Sequence, residues 1–213
     1  MATKLIYFVR HGETASNAEH IKQGAEGSLT EQGRAQALAT AKRFPAHKGR
    51  PQVIYSSPFE RTKETAEIIG KYLNMKVKFS DLLKERKNPT GVIGHNAEDL
   101  EVRKILDHID KSYHPDDLRI SDEENFIDLK KRAKKLLNFI THLWQKRIIM
   151  VTHSRFLKFV ISYMLYGDEL TASQFNNLSY FNKINNAGMA ICLYTHHWFK
   201  KDEWKLLVWN DLD

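Results

Sequence analysis

The sequence predicts an α/β protein, a three-layer α/β/α arrangement around a mostly parallel central sheet. Three observations predict it. Short apolar runs rich in β-branched and aromatic residues, such as Leu5 to Val9 and Ile148 to Val151, read as strands buried on both faces. Between them lie segments whose apolar residues recur at steps of three and four, the helical period. Two of the strands end in a histidine, His11 and His153. A chain of 213 residues with 42% hydrophobic content suits one such domain and can bury its core without disulfides or metals.

The elements come in order. Leu5 to Val9 runs straight into Arg10-His11-Gly12-Glu13-Thr14, so a cation, an imidazole and a glycine arrive at a strand's carboxyl end. Ligands of open α/β sheets sit there. Gly12 has no Cβ, which lets the backbone turn sharply and approach an anion closely. Thr30 is a good N-cap and Glu31 suits the positive end of the next helix, which should reach about Phe44 before Pro45. Pro51 to Pro58 holds the second strand and its exit. Phe59, Thr62, Ala66, Ile69 and Leu73 mark a helix with one buried stripe, which puts Arg61 in its first turn. Val77-Lys78-Phe79 is a short strand.

The pattern then loosens. Lys84 to Gly91 is polar and loop-like, Val102, Ile105, Leu106 and Ile109 mark a helix from about Ala97 to Lys111, and Pro115 acts as a breaker near the segment's end. The segment from about 81 to 120 reads as a helical insertion, a lid over the active site, within a single domain spanning residues 1–213. Ser121 and Glu124 form a capping-box pattern ahead of a helical stripe from Phe126 to Trp144. Arg147 to Val151 repeats the opening design and delivers Thr152-His153-Ser154. A helix from Phe156 to about Tyr166, closed by Gly167, comes next, then a capping box at Thr171 and Gln174. Strands at Met189–Thr195 and Trp204–Trp209 end the chain, with a turn near Lys200-Lys201-Asp202.

Composition narrows the function classes. One cysteine, Cys192, excludes an intramolecular disulfide and fits a reducing compartment. No stretch approaches the ~18 apolar residues of a membrane span, and no apolar signal segment precedes the first strand. The protein is expected to be soluble and cytoplasmic, with no membrane partner. The formal charge of +7 suits anionic small substrates. Nucleic acid is not expected as a partner, because no groove-reading motif is present and the basic cluster from Lys130 to Lys135 falls on one solvated helix face. His142, His196 and His197 lack ligand spacing with acidic or cysteine partners, so no metal site is expected. Nothing in the sequence specifies an oligomeric state.

If the three strand ends converge on one crevice, two arginines and two histidines line one pocket. Guanidinium forks match phosphate oxygens. Helix N-termini after Pro58 and His153 would add backbone N–H groups. A doubly charged phosphate monoester is the natural occupant.

The chain resembles the histidine phosphatase superfamily, in the branch that includes cofactor-dependent phosphoglycerate mutases and fructose-bisphosphatase-like phosphatases. The resemblance lies in Val9 to Thr14 with Asn17, in Leu29 to Gly33, in Tyr55 to Pro58 with Arg61 and Thr65-Ala66, and in Val151 to Ser154. It implies that His11 is a nucleophile that becomes phosphorylated. It implies that Arg10, Arg61 and His153 hold the transferring phosphoryl group, with Asn17 and the Ser154 backbone as further phosphate contacts. Neighbouring cations lower a histidine pKa and favour the neutral ring that must attack. Fixed cations could also do here what a metal does elsewhere, so no metal or other cofactor is required.

The family places a general acid after the short third strand, and Glu85 is the match; Glu13 and Glu98 are the fallback donors. The residues after it, Asn88 to His95, depart from the family pattern. Thr14-Ala15-Ser16 and His153-Ser154 stand where the phytase-like branch has Arg-x-Pro and His-Asp. The Arg-His-Tyr-Gly string of mutases is missing. The expected function is a metal-independent phosphomonoesterase acting through a phosphohistidine on a small phosphorylated metabolite. The alternatives are a phosphoglycerate-mutase-type isomerase and a non-catalytic phosphate- or phosphoprotein-binding module. Lys84, Arg86 and Lys87 beside the mouth suggest a second anionic group on the substrate.

Overall fold

The computed structural model describes residues 2–45, 47, 49–111, 119 and 121–212. The elements are β1 (Ala2–Arg10), α1 (Ala15–Ala18), α2 (Glu31–Lys42), β2 (Val53–Ser56), α3 (Glu60–Leu73), β3 (Val77–Phe79), α4 (Leu100–Lys111), α5 (Phe126–His142), β4 (Arg147–Thr152), α6 (Ser154–Tyr166), α7 (Ala172–Phe181), β5 (Met189–His196) and β6 (Glu203–Asp211). One six-stranded sheet has the order β3-β2-β4-β1-β5-β6. The four strands β1 to β4 are mutually parallel. β5 runs antiparallel to β1, and β6 antiparallel to β5.

Alternation along the strands builds the three layers. Ile6 and Phe8 of β1, with Ile148 and Met150 of β4, face Phe126, Leu136, Phe156 and Phe159 of α5 and α6. Tyr7 and Val9, with Ile149 and Val151, face Ala41, Ala66 and Ile69 of α2 and α3. Strands with a layer on each side must be apolar at every position. The helix after β1 thus packs on one face and the helix after its neighbour β4 on the other. A crevice opens between two such strands at their carboxyl ends. Register brings the ends level: Arg10 lies opposite Thr152, and Ser56 opposite Val151.

Gly12 serves a different purpose from the one its sequence position suggests. A Cβ on Gly12 would sit 2.4 Å from the Gly33 carbonyl oxygen, and one on Gly33 would sit 2.1 Å from the Glu13 carbonyl oxygen. The two glycines let the first turn of α2 press against the loop after β1. Thr30 caps that turn, accepting a hydrogen bond from Gly33 N.

Several boundaries differ. α5 is capped by Asn125 with Asp128, not by Ser121 with Glu124, because Glu124 is held by Arg132 and by Lys87 N. Trp144 leaves the buried stripe: the chain turns extended at Leu143, and Trp144 is exposed. α6 starts two residues early, at Ser154, and α4 three residues late, at Leu100, with Ile105 on its exposed side. Pro115 lies outside the described residues. The segment ahead of α4 is pinned to the loop after α1 by Lys22 N to His95 O, Gly94 N to Lys22 O and Ala97 N to His20 O. Among the described residues no helix is long and apolar enough to cross a membrane.

Candidate active site

The crevice is a cavity of about 760 Å³ bordered by Arg10, His11, Asn17, Arg61, Glu85 and Ser154, among others. His11 is 4% exposed and clamped on all sides. Its N–H bonds Thr152 O, and its carbonyl accepts from Ala187 N and from Asn186 Nδ2. Its neighbour Gly12 donates N–H to Thr65 Oγ1, which in turn donates to the Arg61 carbonyl. Nδ1 of His11 lies 2.7 Å from the Gly12 carbonyl oxygen. A carbonyl only accepts, so Nδ1 carries the proton and Nε2 keeps its lone pair. Burial, then the charges of Arg61 and Arg10, hold the His11 pKa well below its usual value, against a smaller pull from the Gly12 carbonyl.

His153 packs against His11 with ring centroids 5.3 Å apart and is fully buried. Its Nε2 is 3.0 Å from Ser57 Oγ, and its Nδ1 is buried with no hydrogen-bond partner. Ser57 Oγ accepts from Phe59 N. When that hydroxyl donates to Nε2, the proton of the neutral ring sits on Nδ1, a buried donor that the protein leaves unsatisfied. Burial, then Arg61 and His11, again press the pKa well below its usual value.

The two guanidiniums are anchored on backbone carbonyls. Arg10 Nη1 donates to Ile184 O at 2.7 Å, and its buried Nε has no partner. Arg61 is 3% exposed and donates to Gly24 O at 2.8 Å. Burial lowers the Arg61 pKa to about 10, with Glu85 opposing and Arg10 reinforcing that shift, so Arg61 stays charged at neutral pH.

Glu85 is the only carboxylate side chain among the described residues that lines the cavity. Its Oε1 accepts from Phe156 N at 2.8 Å and from Arg86 N at 2.9 Å, and its Oε2 from Arg155 N at 3.2 Å. It therefore caps α6, whose own N-cap, His153, makes no side-chain cap bond. This corrects the expectation that the helix N-termini offer free N–H groups to a phosphate. Those of Arg155 and Phe156 are taken by Glu85, and Glu60 N at the start of α3 bonds Ala25 O.

The other expected residues divide. Asn17 borders the cavity from α1, and its Oδ1 accepts from Asn186 Nδ2 at 3.1 Å, which turns its NH₂ donor away from that contact. Ser154 lines the cavity as the first residue of α6. Glu13 does not reach it: its Oε1 accepts from Thr30 Oγ1, so it braces α2 rather than serving as a proton donor. Glu98 is exposed and off the cavity. Lys84 and Lys87 pair with Asp81 and Asp122, so of the three basic loop residues only Arg86 borders the cavity.

Sequence reasoning gave no role to Ser57, Thr65 and Asn186, and it placed Arg132 on a solvated helix face, whereas the Arg132 side chain is only 13% exposed. Arg132 donates to both oxygens of Glu124 and to the carbonyls of Leu82, Lys84 and Glu85, with its guanidinium 3.8 Å from the Phe156 ring centroid. It fastens the Glu85 loop to α5 and α6. Among the described residues no three His, Cys, Asp or Glu side chains group as a metal ligand set.

Two buried imidazoles beside two carbonyl-anchored guanidiniums, set where a parallel sheet divides its helices, define an oxyanion pocket of the histidine type. The chain belongs to the histidine phosphatase superfamily (branch 1), whose family model matches residues 6–212. The chain is 34% identical over 170 residues to a probable phosphoglycerate mutase GpmB of Salmonella arizonae, covering 75% of this chain and 74% of that one. It is 46% identical over 67 residues to a metal-independent phosphoserine phosphatase of Arabidopsis thaliana, covering 31% of this chain and 28% of the other. A mutant phosphoserine phosphatase of Entamoeba histolytica, solved with phosphoserine, superposes with a TM-score of 0.74 at 25% identity over 98% of each chain. A mycobacterial glucosyl-3-phosphoglycerate phosphatase solved with VO3 has the same fold, with a TM-score of 0.75 at 22% identity over 97% of this chain and 99% of that one.

Proposed function

We propose that the chain is a metal-independent phosphomonoesterase that passes a phosphoryl group through His11. The observation that carries this reading is the state of His11: buried, held neutral by burial and by the charges of Arg61 and Arg10, and with its Nδ1 proton spent on the Gly12 carbonyl, which leaves the lone pair on Nε2. Phosphoryl transfer needs alignment and charge stabilisation more than covalent assistance. Arg10 and Arg61 neutralise the equatorial oxygens, and His153 Nδ1 and Asn17 Nδ2 donate to them. Ser154 completes the cradle at the start of α6.

Nε2 of His11 attacks phosphorus as the bond to the leaving oxygen breaks. Glu85 hands that oxygen its proton. Water then attacks the phosphohistidine, returns a proton to Glu85 and frees inorganic phosphate. The segment carrying Glu85, Arg86 and Asn88 serves as the cover of the cavity. The substrate is a small phosphorylated metabolite, as the phosphoserine bound to the Entamoeba relative is.

The test is rapid quench with labelled substrate, kept alkaline. Label should appear on His11 and be lost with release of free phosphate. The same should hold after exhaustive chelation. Label elsewhere, an active His11→Ala protein, or activity restored only by a divalent ion would refute the reading. The name of the Salmonella relative favours one other outcome, a mutase using the same phosphohistidine. Exchange of phosphate between positions of phosphoglycerate, without free phosphate, would identify it.

A further inference from the structure

We propose that the wall formed by α6 and the loop before β5 is a second anion subsite, and that the substrate is a phosphomonoester whose leaving group carries a second acidic group. This rests on the phosphatase reading above and specifies its substrate class.

The argument starts from charge. Among the described residues the cavity is bordered by seven lysine and arginine side chains and one carboxylate. Arg10 and Arg61 flank His11, and Arg86 is turned onto Asn88 Oδ1. Arg155 and Lys158 lie three residues apart on α6 and therefore share a face. Lys183 joins them from the loop before β5, which Trp209 Nε1 holds by donating to the Lys183 carbonyl.

Several lysines elsewhere pair with acids: Lys84 with Asp81, Lys87 with Asp122, Lys134 with Asp168. Among the described residues neither Lys158 nor Lys183 forms a salt bridge. Lys158 Nζ donates once, to Ser179 O at 2.8 Å, which leaves two of its three donors. Glu85, the nearest carboxylate on the cavity, is already bound to two N–H groups of α6. Burial, then the charges of Arg155 and Arg10, weigh against the charged form of Lys158, with Glu85 opposing and Lys183 reinforcing that shift. A site that gathers cations at such cost gains when an anion enters.

Size and spacing agree. A cavity of about 760 Å³ is of the size that holds a whole small ligand rather than a lone phosphoryl group. Four residues of helix separate Ser154 from Lys158, a rise of about 6 Å. A short carbon chain can span that distance between a phosphorus at His11 and an acidic group at Lys158.

The test is steady-state kinetics on matched pairs, with p-nitrophenyl phosphate as reference. One pair, 3-phosphoglycerate and glycerol 3-phosphate, differs by a carboxylate. The other, fructose 1,6-bisphosphate and fructose 6-phosphate, differs by a phosphate. The member of one pair that carries the second acidic group should show at least ~10-fold higher kcat/KM, mostly through KM, since a charged hydrogen bond contributes roughly 10- to 100-fold. Which pair responds identifies the second group. Lys158→Gln and, independently, the exposed Lys183→Gln should raise KM for that substrate several-fold more than for p-nitrophenyl phosphate, and Lys158→Arg should restore part of the preference. Hydrolysis of p-nitrophenyl phosphate with no preference in either pair would overturn the subsite and leave the phosphatase standing. A preference that survives both lysine substitutions would also overturn it. No hydrolysis of any phosphomonoester would overturn the phosphatase reading itself.

Discussion

Lowering the pH should destabilise this protein by an amount that His11 and His153 largely set. Both rings are buried and held neutral, their pKa values pressed well below the usual 6.5 by burial first and by neighbouring charges second. In the unfolded chain they titrate near the ordinary value. The unfolded state therefore binds more protons than the folded state below about pH 6.5, and stability rises with pH there. The contribution is fully present above that value and is lost as pH falls toward the depressed folded-state values. Between pH 7.5 and 5.5 each histidine should cost about 1.4 kcal/mol, and the pair about 2.7 kcal/mol, while both stay neutral in the folded protein. Urea unfolding at the two pH values measures the total, and other groups contribute to it. The decisive quantity is the difference between the wild type and histidine variants. His11→Gln or His153→Gln should each remove about 1.4 kcal/mol of the pH-dependent loss, and the double variant about twice that. An identical pH-dependent loss in wild type and double variant would show that the rings are protonated in the folded protein. The neutral-nucleophile argument would then fail with it.

Three shorter predictions test other parts of the site. Glu85→Gln should slow alkyl phosphates by ~10²–10⁴-fold and p-nitrophenyl phosphate much less, because a nitrophenolate departs without a proton; equal losses on both would make Glu85 a binding group. Arg132→Lys keeps the charge but not the fork that holds Glu124 and three carbonyls of the Glu85 loop. It should show the same leaving-group pattern in weaker form, whereas a uniform loss on all esters would make it merely structural. Gly33→Ala places a methyl 2.1 Å from the Glu13 carbonyl oxygen, and overpacking of this kind costs about 1–3 kcal/mol. The melting midpoint should drop by roughly 2–4 °C per kcal/mol, and an unchanged midpoint would mean that α2 shifts freely.

The fold and the centre of the site were legible because both are written locally. The apolar runs at Tyr7 to Val9 and Ile148 to Val151 have a helical layer on each face, so every position must be apolar, and the strand shows in the sequence as an unbroken run. Their ends carry His11 and His153 at the same level because strand register, not side-chain chemistry, sets where the chain exits the sheet. Thr30 and Thr171 were readable as caps because cap and first turn are contiguous. Ser121 misled for the same reason: it and Glu124 have the right spacing, but Arg132, one turn and more into the next helix, takes the carboxylate.

The part that stayed hidden is the polar scaffold that holds those ends in place, since its partners are far apart in the chain. Glu85 meets α6 across 70 residues, Ser57 meets His153 across 96, and Asn186 meets Asn17 across 169. No local period marks such pairs. Asn186 sits in an Asn-Asn-Ala-Gly stretch that reads as any loop before a strand, yet it fixes both the His11 carbonyl and the amide of Asn17. Charge was misread in the same way. Lys84 and Lys87 looked like substrate contacts because they flank Glu85 in sequence, but both turn instead to the acids beside them, Asp81 and Asp122. Of the cations that do border the cavity, Lys158 and Lys183 come from a helix face and a loop that only the sheet topology brings beside His11. The residues proposed to hold the phosphoryl group could thus be read from strand ends, whereas those proposed to meet the leaving group belong to elements that meet only after the sheet has formed. Family resemblance points to the first and leaves the second to this chain's own residues. For that reason the lysines of α6 and of the loop before β5 are the substitutions that bear most directly on the substrate of the proposed reaction.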